Sequence, residues 1–278
     1  MIGAGMMSQA LVEPMIKQGL QPAEQFCVYD VSDTAMASMR EKYGVQTSQT
    51  VEACLNDANL VLLAVKPQNL TCAMFETLRK GRAGADDNAI ILSVIAGKTL
   101  ETLQRSGFAK VVRSMPNTPA TIGRGMTVWS CTPDMTSDER GMSRKVLQSF
   151  GKAMYVDDEA FIDMSTSISG SGPAYIFMLM ESMIDAGVHM GFPRDQATLL
   201  VYETMLGSTL YAMESKEHPA ILRNRVTSPS GTTASAIYEL ENGKFRTVIK
   251  DAMWACYRRS LEMGNNDSNV GPNRNTNN

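Results

Sequence analysis

The sequence has no strong excess of charge of either sign. Its 278 residues carry 26 Lys+Arg and 29 Asp+Glu, a formal net charge of −3. Such a balance provides no broad basic surface for phosphate groups, so we expect no nucleic-acid partner. Long apolar runs are lacking too, because the longest uncharged stretch, 164–180, contains Ser, Gly and Pro. We therefore expect no transmembrane helix and no membrane partner.

Metal-binding and disulfide patterns are also missing from the sequence. The five cysteines are scattered and odd in number, and none forms a C-x-x-C pair, which predicts reduced thiols and no zinc ribbon. The two histidines, His189 and His218, lack Cys or acidic partners at ligand spacing, so we predict no metal site. No signal-peptide pattern precedes the first turn, which indicates a cytoplasmic protein, or an organellar one if a targeting segment belongs ahead of Met1.

The first half of the chain alternates short apolar runs with segments of helical spacing. The predicted strands are 25–29, 60–65, 89–96, 110–114 and 126–130, and the predicted helices are 9–18, 34–43, 68–79 and 100–106. Strand and helix in alternation are typical of a parallel sheet with crossover helices. Apolar runs without polar alternation indicate strands that are covered on both faces. The fold class is therefore α/β, with a dinucleotide-binding type of domain predicted over 1–160.

The second half is predicted to be helical. Pro173 and Pro193 each open a helical segment, and the first of these is apolar nearly all round. About 100 residues offer few places to bury such a helix inside one chain, so we expect subunit association. The helical domain is predicted over 161–264. The Asn-rich stretch 265–278 is predicted to be disordered.

A glycine-rich turn opens the chain. Residues 3–8 read G-x-G-x-x-S and lead into a helical pattern, as in folds whose turn and helix N-terminus hold a pyrophosphate. Asp30 ends the next strand 25 residues after Gly5, a spacing that suits a carboxylate on the adenosine ribose. The alternative is a helix N-cap or loop acid. A ribose-binding carboxylate with no Arg in 31–34 predicts that NADH is tolerated.

Two later strand ends lie on the side of the sheet where open α/β folds bind ligands. One is Ala64-Val65-Lys66-Pro67 and the other is 115–119, which contains Asn117. Plain turn chemistry is the alternative for both.

Two Ser/Gly/Pro turns precede helices in the second half, at 169–175 and 227–233. The second offers main-chain N–H groups, threonine hydroxyls and a helix N-terminus, which together suit a small carboxylate. Two ordinary capped helices are the alternative.

With these motifs assembled, the chain resembles the pyrroline-5-carboxylate reductase family over residues 2–263. The matching motifs are GAGMM (3–7), AVKPQ (64–68), RSMPNTPA (113–120), SGSGPAY (169–175) and HPAILRNRVTSPSGTTASAIYELE (218–241). Family members usually carry Gly where this chain has Ser230, so we expect altered backbone freedom in that turn.

The resemblance implies a Rossmann domain followed by a helical dimerisation domain, in a homodimer or a higher assembly of dimers. It implies hydride transfer from NADPH or NADH to the imine carbon of 1-pyrroline-5-carboxylate, which becomes C5 of L-proline. The implied cofactor contacts are Ile2, Gly3, Ala4, Gly5, Met6, Met7, Asp30, Ser32, Ala64, Val65, Lys66, Pro67, Val94, Ile95, Ala96 and Asn117. The implied substrate contacts are Glu159, Ser228, Gly231, Thr232 and Thr233. Thr233 matches the threonine that reaches the imine nitrogen, and we place it with Lys66 as candidate catalytic residues. For Lys66 a structural surface role stays open.

Two other functions remain open. A related β-hydroxyacid dehydrogenase would need a catalytic lysine in the helical half, where Lys216, Lys244 and Lys250 all lack the expected Gly-rich helical context. The other is a cofactor-binding protein with little catalysis, because Met1-Ile2 is too short for a central first strand. On that argument the first strand is truncated, the glycine turn is poorly held, and neighbouring strand edges are unpaired.

Overall fold

The chain on either side of Ile2, at Tyr29 and at Leu63, runs parallel to it. The structure is a computed structural model, and it describes residues 1–86 and 88–272. Contacts group it into two units, one formed by residues 1–173 with the chain from Trp254 onward, the other by residues 174–253.

The first unit contains all seven strands of the described chain. β1 (Cys27–Val28) pairs in parallel with β2 (Gln46–Thr47). The second sheet has the order β3 (Leu60–Leu63), β4 (Ile90–Ser93), β5 (Lys110–Met115), β6 (Gly125–Cys131) and β7 (Gly151–Tyr155). Its neighbours are parallel except for β5 and β6, which are antiparallel. Ile2 lies between the two sheets and bridges in parallel to Tyr29 and Leu63.

Helices connect and cover these strands. Those of the first unit are α1 (Met6–Lys17), α2 (Asp33–Tyr43), α3 (Val51–Leu55), α4 (Cys72–Arg82), α5 (Leu100–Gln104), α6 (Ser137–Gln148) and α7 (Ala160–Ser165). Most begin at a Ser or Thr whose hydroxyl accepts a main-chain N–H of the first turn, as Thr71 does from Met74 for α4. The sequence therefore fixes most helix starts locally.

The core of the first unit has two parts. One contains Leu11, Val12 and Trp129, and the other contains Ile2 and Leu63. All four residues of β4 are buried, as expected for a strand covered on both faces.

The second unit is helical. Its elements are α8 (Gly172–His189), α9 (Arg194–Ser215), α10 (Pro219–Arg225) and α11 (Thr232–Asn242), followed by α12 (Phe245–Met263), which ends in the first unit. A small core of Ile184, Ala197 and Val201 joins α8 to α9. Large apolar side chains stay exposed on these helices, among them Phe177, Met178, Leu206 and Tyr238. Over the residues described, no helix combines the length and apolar character needed to cross a membrane.

Comparison with the sequence predictions confirms the α/β class and the helical second half. The predicted parallel sheet is present from β3 to β5, and β6 and β7 run antiparallel to these strands. The strands β2 and β7 and the helices α3 and α6 were not predicted. The compact units also divide the chain at other residues than 160/161, because α7 packs against β5 and β6 and the end of α12 joins the first unit.

Part of the Asn-rich stretch contacts α12. Arg258 donates hydrogen bonds to the carbonyls of Val270 (3.0 Å) and Pro272 (2.7 Å), and Gly271 lies against the Trp254 ring. Disorder over 265–278 stays a prediction, and residues 273–278 lie outside the described residues.

Candidate active site

A cleft of about 510 Å³ opens at the carboxyl ends of β1 and β3. Its walls come from the glycine turn, the end of β1, the segment after β3 and the start of α4. The lining residues are Ile2, Gly3, Gly5, Tyr29, Asp30, Val31, Ala64, Val65, Lys66, Gln68, Asn69, Thr71 and Met74. The cleft brings together the two motifs that the sequence placed far apart, GAGMM and AVKPQ.

The two glycines of the turn have different geometric reasons to be glycine. Gly3 has φ +105°, and a Cβ there would lie 2.7 Å from the carbonyl oxygen of Ala64. A Cβ on Gly5 would meet no heavy atom of the described chain within 4 Å, so the space above Gly5 is open. Gly3 therefore allows the turn to approach β3, and Gly5 leaves room for a ligand to approach the turn.

The start of α1 fits a phosphate group. Gly5 is the N-cap, no side chain of the described residues caps it, and the first turn carries no acid. The free N–H groups in the first turn of α1 and the helix dipole face the open space above Gly5, and both favour the binding of an anion. These residues fit the pyrophosphate of a dinucleotide cofactor. Met6, which begins the helix, is largely exposed beside this space, and Met7 packs against the core.

The glycine turn is held from both sides. Ile2 donates to Leu62 O (2.8 Å) and accepts from Ala64 N–H (2.9 Å), while Gly3 donates to Tyr29 O (2.8 Å). The expectation of a poorly held turn is therefore wrong. Met1 and Ile2, the two residues before the turn, form main-chain hydrogen bonds that hold it against β1 and β3.

Asp30 is bonded to the main chain. Its Oδ2 accepts the Ala4 N–H at 2.7 Å and its Oδ1 accepts the Ser32 N–H at 2.9 Å. These two bonds make Asp30 a loop acid, the alternative that the sequence left open. A carboxylate has further lone pairs and Asp30 lines the cleft, so its contact with a ribose stays a prediction. Ser32 caps α2 by accepting the Ala35 N–H at 3.2 Å.

The segment after β3 contributes three of its four predicted residues to the cleft. Ala64, Val65 and Lys66 line it, whereas Pro67 begins a short 3₁₀ turn. Lys66 is exposed, and within the described residues its ammonium group forms no ion pair. It is free to contact a ligand, and a catalytic role for it stays a prediction.

Other predicted cofactor residues lie outside the cleft lining. Ile95 is buried and donates its N–H to Ser93 Oγ at 3.2 Å, and Val94 donates to Leu63 O at 3.1 Å. The Asn117 amide donates to Ser169 O and accepts from Met126 N–H, both at 2.9 Å. Asn117 therefore has a structural role. Cofactor contacts of Asn117 and of 94–96 stay predictions.

Glu159 lies in a buried charge cluster that the sequence analysis missed. Its Oε2 accepts from Arg113 Nη1 at 2.9 Å and from the Leu100 N–H at 3.0 Å. Arg113 also pairs with Asp163 at 2.7 Å. The sequence feature that could have revealed this cluster is Arg113 inside the apolar strand β5, because a buried guanidinium requires acidic partners.

The predicted substrate turn belongs to the second unit. Gly231 is the N-cap of α11, with no capping side chain among the described residues, and its N–H donates to Ser228 O at 3.1 Å. Thr232 and Thr233 are the first two residues of that helix, Thr232 exposed and Thr233 partly buried. Ser230 has φ +57°, the left-handed region that favours glycine. Free N–H groups and two hydroxyls at one helix start suit a carboxylate.

No cluster of three or more His, Cys, Asp or Glu that could hold a metal ion occurs in the described parts of the chain.

Comparison with known proteins assigns both halves of the chain. Residues 159–263 match the family model for pyrroline-5-carboxylate reductase dimerisation, and residues 1–97 match the model for NADP oxidoreductase, coenzyme F420-dependent. A pyrroline-5-carboxylate reductase from Arabidopsis thaliana is 35% identical over 263 residues, which cover 94% of each chain. The chain belongs to the pyrroline-5-carboxylate reductase family.

Solved structures agree with this assignment to the pyrroline-5-carboxylate reductase family. A crystal structure of Plasmodium falciparum pyrroline carboxylate reductase with NADP bound superposes with a TM-score of 0.85 at 26% identity, covering 95% of this chain and 96% of that one. A reductase structure from Coxiella burnetii gives 0.81 at 30% identity, with 94% and 96% covered. An imine reductase from Streptomyces aurantiacus, at 14% identity and a TM-score of 0.54, shares the fold.

Proposed function

We propose that this chain reduces 1-pyrroline-5-carboxylate to L-proline with NADPH or NADH. The observation that carries the proposal is its similarity to named pyrroline-5-carboxylate reductases along 94% of both chains. The cleft at the glycine turn supports it, because the turn and the start of α1 fit a pyrophosphate. The free N–H groups and hydroxyls at the start of α11 support it too, because they suit the carboxylate of the substrate.

In this proposal the cofactor, when bound, supplies a hydride from C4 of its nicotinamide. The start of α1 stabilises the phosphate charge through its free N–H groups. Asp30 orients the adenosine ribose from the end of β1, while Ala64, Val65 and Lys66 form the facing wall of the cleft.

The turn Ser228–Thr233 binds and orients the substrate. Its main-chain N–H groups, with the hydroxyls of Ser228 and Thr232, hold the carboxylate. The Thr233 hydroxyl donates a hydrogen bond to the neutral ring nitrogen and relays to it, from water, the proton that the imine needs. Reduction of an imine requires a fixed carboxylate, a protonated nitrogen and a nearby hydride donor. The turn Ser228–Thr233 provides the first two, because it positions the substrate's carboxylate and its ring nitrogen.

We further propose a homodimer, or a higher assembly of dimers, located in the cytoplasm. The match to a dimerisation family model and the exposed apolar residues of α8 and α9 support the assembly.

A steady-state assay of the purified full chain tests the function. We expect oxidation of NADPH or NADH that requires the imine and forms one L-proline per cofactor oxidised. Gly3→Ala should abolish this activity, because its Cβ would lie 2.7 Å from Ala64 O. Gly19→Ala is the matched control, since Gly19 also has positive φ but open space around it. Oxidation that proceeds equally without the imine would refute the proposal.

A further inference from the structure

The loop between β4 and α5, residues 94–99, is held by a buried cluster of charged and polar side chains. Arg113 of β5 lies at the centre, with its side chain only 2% exposed. It donates to Glu159 at 2.9 Å and to Asp163 at 2.7 Å. Glu159 then accepts the N–H of Leu100 at 3.0 Å, where the loop enters α5. The cluster therefore reaches the loop through one hydrogen bond to its main chain.

The end of α12 holds the same loop from another direction. Ser260 donates to Asp163 Oδ1 at 2.8 Å, and Lys98 donates to Met263 O at 3.2 Å. Gly97 has φ +71°, and a Cβ there would lie 2.9 Å from Met263 Cβ. The loop thus packs closely on α12, and Ser260 joins that helix to the charge cluster.

The position of this loop connects it to the cofactor cleft. Val94 donates its N–H to Leu63 O, so the loop starts beside Ala64, which lines the cleft. Asp30, at the end of β1, lies on one side of the glycine turn, and loop 94–99 follows β4 on the other side. A dinucleotide bound across the ends of such a sheet has its two halves on opposite sides of the turn. With its adenosine at Asp30, its nicotinamide half lies towards loop 94–99.

The energetics of the cluster make it a rigid support. Arg113 and Asp163 are almost fully buried, and removing one partner of a buried ion pair leaves an uncompensated charge. Glu159 is 31% exposed, and its Oε2 bridges Arg113 and Leu100. A neutral amide oxygen at that position can still accept one of these bonds, whereas a methyl group can accept neither.

We propose that Glu159, Arg113, Asp163 and Ser260 are positioning residues that fix loop 94–99 for the nicotinamide half of the cofactor. Glu159 acts through Leu100, and this replaces the prediction that it contacts the imine substrate. The inference rests on the proposed function.

Direct titration of the purified protein with NADPH and with NADH, without substrate, tests the proposal independently of activity. We expect Glu159→Ala to raise the cofactor Kd about tenfold, the effect of losing a charge-assisted hydrogen bond. Glu159→Gln should rescue most of the affinity. Ser260→Ala should raise the Kd about threefold, although Ser260 contacts Asp163 and not the cleft. Glu101→Ala, an exposed acid on α5, is the matched control and should bind cofactor as the parent chain does.

The imine KM separates positioning from substrate contact. Under the proposal, Glu159→Gln leaves the imine KM within about twofold of the parent value. A large rise in that KM for both Glu159 variants, with the cofactor Kd unchanged, would overturn the proposal in favour of direct substrate contact. Unchanged cofactor Kd in both Glu159→Ala and Ser260→Ala would also overturn it. If the parent chain binds cofactor but does not reduce the imine, the proposed function fails while the Kd comparison still decides the role of the cluster.

Discussion

The carboxylate of Asp30 accepts the main-chain N–H of Ala4 at 2.7 Å, which ties the end of β1 to the glycine turn. The same carboxylate lines the cleft and accepts the Ser32 N–H. We therefore predict that Asp30 acts on the cofactor both through the shape of the turn and by direct contact. The two roles predict different results on mutation.

We predict that Asp30→Ala weakens binding of both NADH and NADPH roughly tenfold, because the turn loses a hydrogen bond to a charged acceptor. Asp30→Asn should keep the bond to Ala4 and lose the charge, so NADPH should gain relative to NADH. Dissociation constants of both cofactors for the three proteins check this. An unchanged NADH to NADPH ratio in Asp30→Asn would remove the carboxylate from cofactor choice.

The parent chain should accept NADH. A carboxylate at this position accepts hydrogen bonds from ribose hydroxyls and repels a 2′-phosphate. Michaelis constants for NADH and NADPH measure the preference. A large preference for NADPH would contradict the ribose-binding role of Asp30.

Thr233→Ala should lower turnover about a hundredfold, the usual contribution of a group that moves or holds a proton in the reaction. The cofactor Kd should not change, because Thr233 lies at the start of α11 and not in the cleft lining. Ser235→Ala, two positions after Thr233 in the same helix and exposed, is the matched control. Turnover of Thr233→Ala equal to that of the control would remove Thr233 from the mechanism.

Ser230→Gly should stabilise the protein by about 1 kcal/mol, because the left-handed backbone at φ +57° costs a residue with a Cβ about that much. Urea unfolding of both proteins measures the difference. Ser215→Gly is the contrasting control, since Ser215 ends α9 in helical conformation and glycine should destabilise it. A loss of stability in Ser230→Gly would show that the serine side chain, and not the backbone, determines this turn.

A groove of about 530 Å³ lies between β1 and β3, next to Met1. Met1, Cys27, Cys54, Leu60 and Leu62 are among the residues that line it. An extension of four Val or Ile residues ahead of Met1 should enter this groove as a parallel strand and raise the free energy of unfolding by about 3 kcal/mol. A Gly-Ser extension of equal length should not. Equal melting temperatures for the two extended proteins would contradict a strand-receiving groove.

The sequence predicted those parts of the fold that are encoded by local patterns. The apolar runs at β3, β4 and β5 were long enough to identify strands, and the glycine turn, Pro173 and Pro193 identified helix starts. β2 has only two residues, and β7 alternates exposed and partly buried positions around Lys152, so neither gives an apolar run. The antiparallel direction of β6 depends on its pairing with β5, which no local pattern specifies.

The site was predicted to a similar extent. The motifs located the cleft, because Gly3 belongs to GAGMM and Ala64 belongs to AVKPQ. The bonds from Asp30 to Ala4 and from Glu159 to Leu100 could not be predicted, because these partners are main-chain N–H groups 26 and 59 residues away in sequence. Only the folded chain shows that these acids are bonded to the loops around the cleft.

The fate of the transferred hydrogen tests whether this chain reduces the imine. The full chain is incubated with 1-pyrroline-5-carboxylate and with NADPH or NADH that carries two deuterium atoms at C4 of the nicotinamide, and the product is analysed by mass spectrometry and NMR. We predict L-proline with one deuterium at C5, formed in equal amount to the cofactor oxidised. Cofactor oxidation without deuterated proline, or no oxidation by a chain that binds both cofactor and imine, would contradict the account.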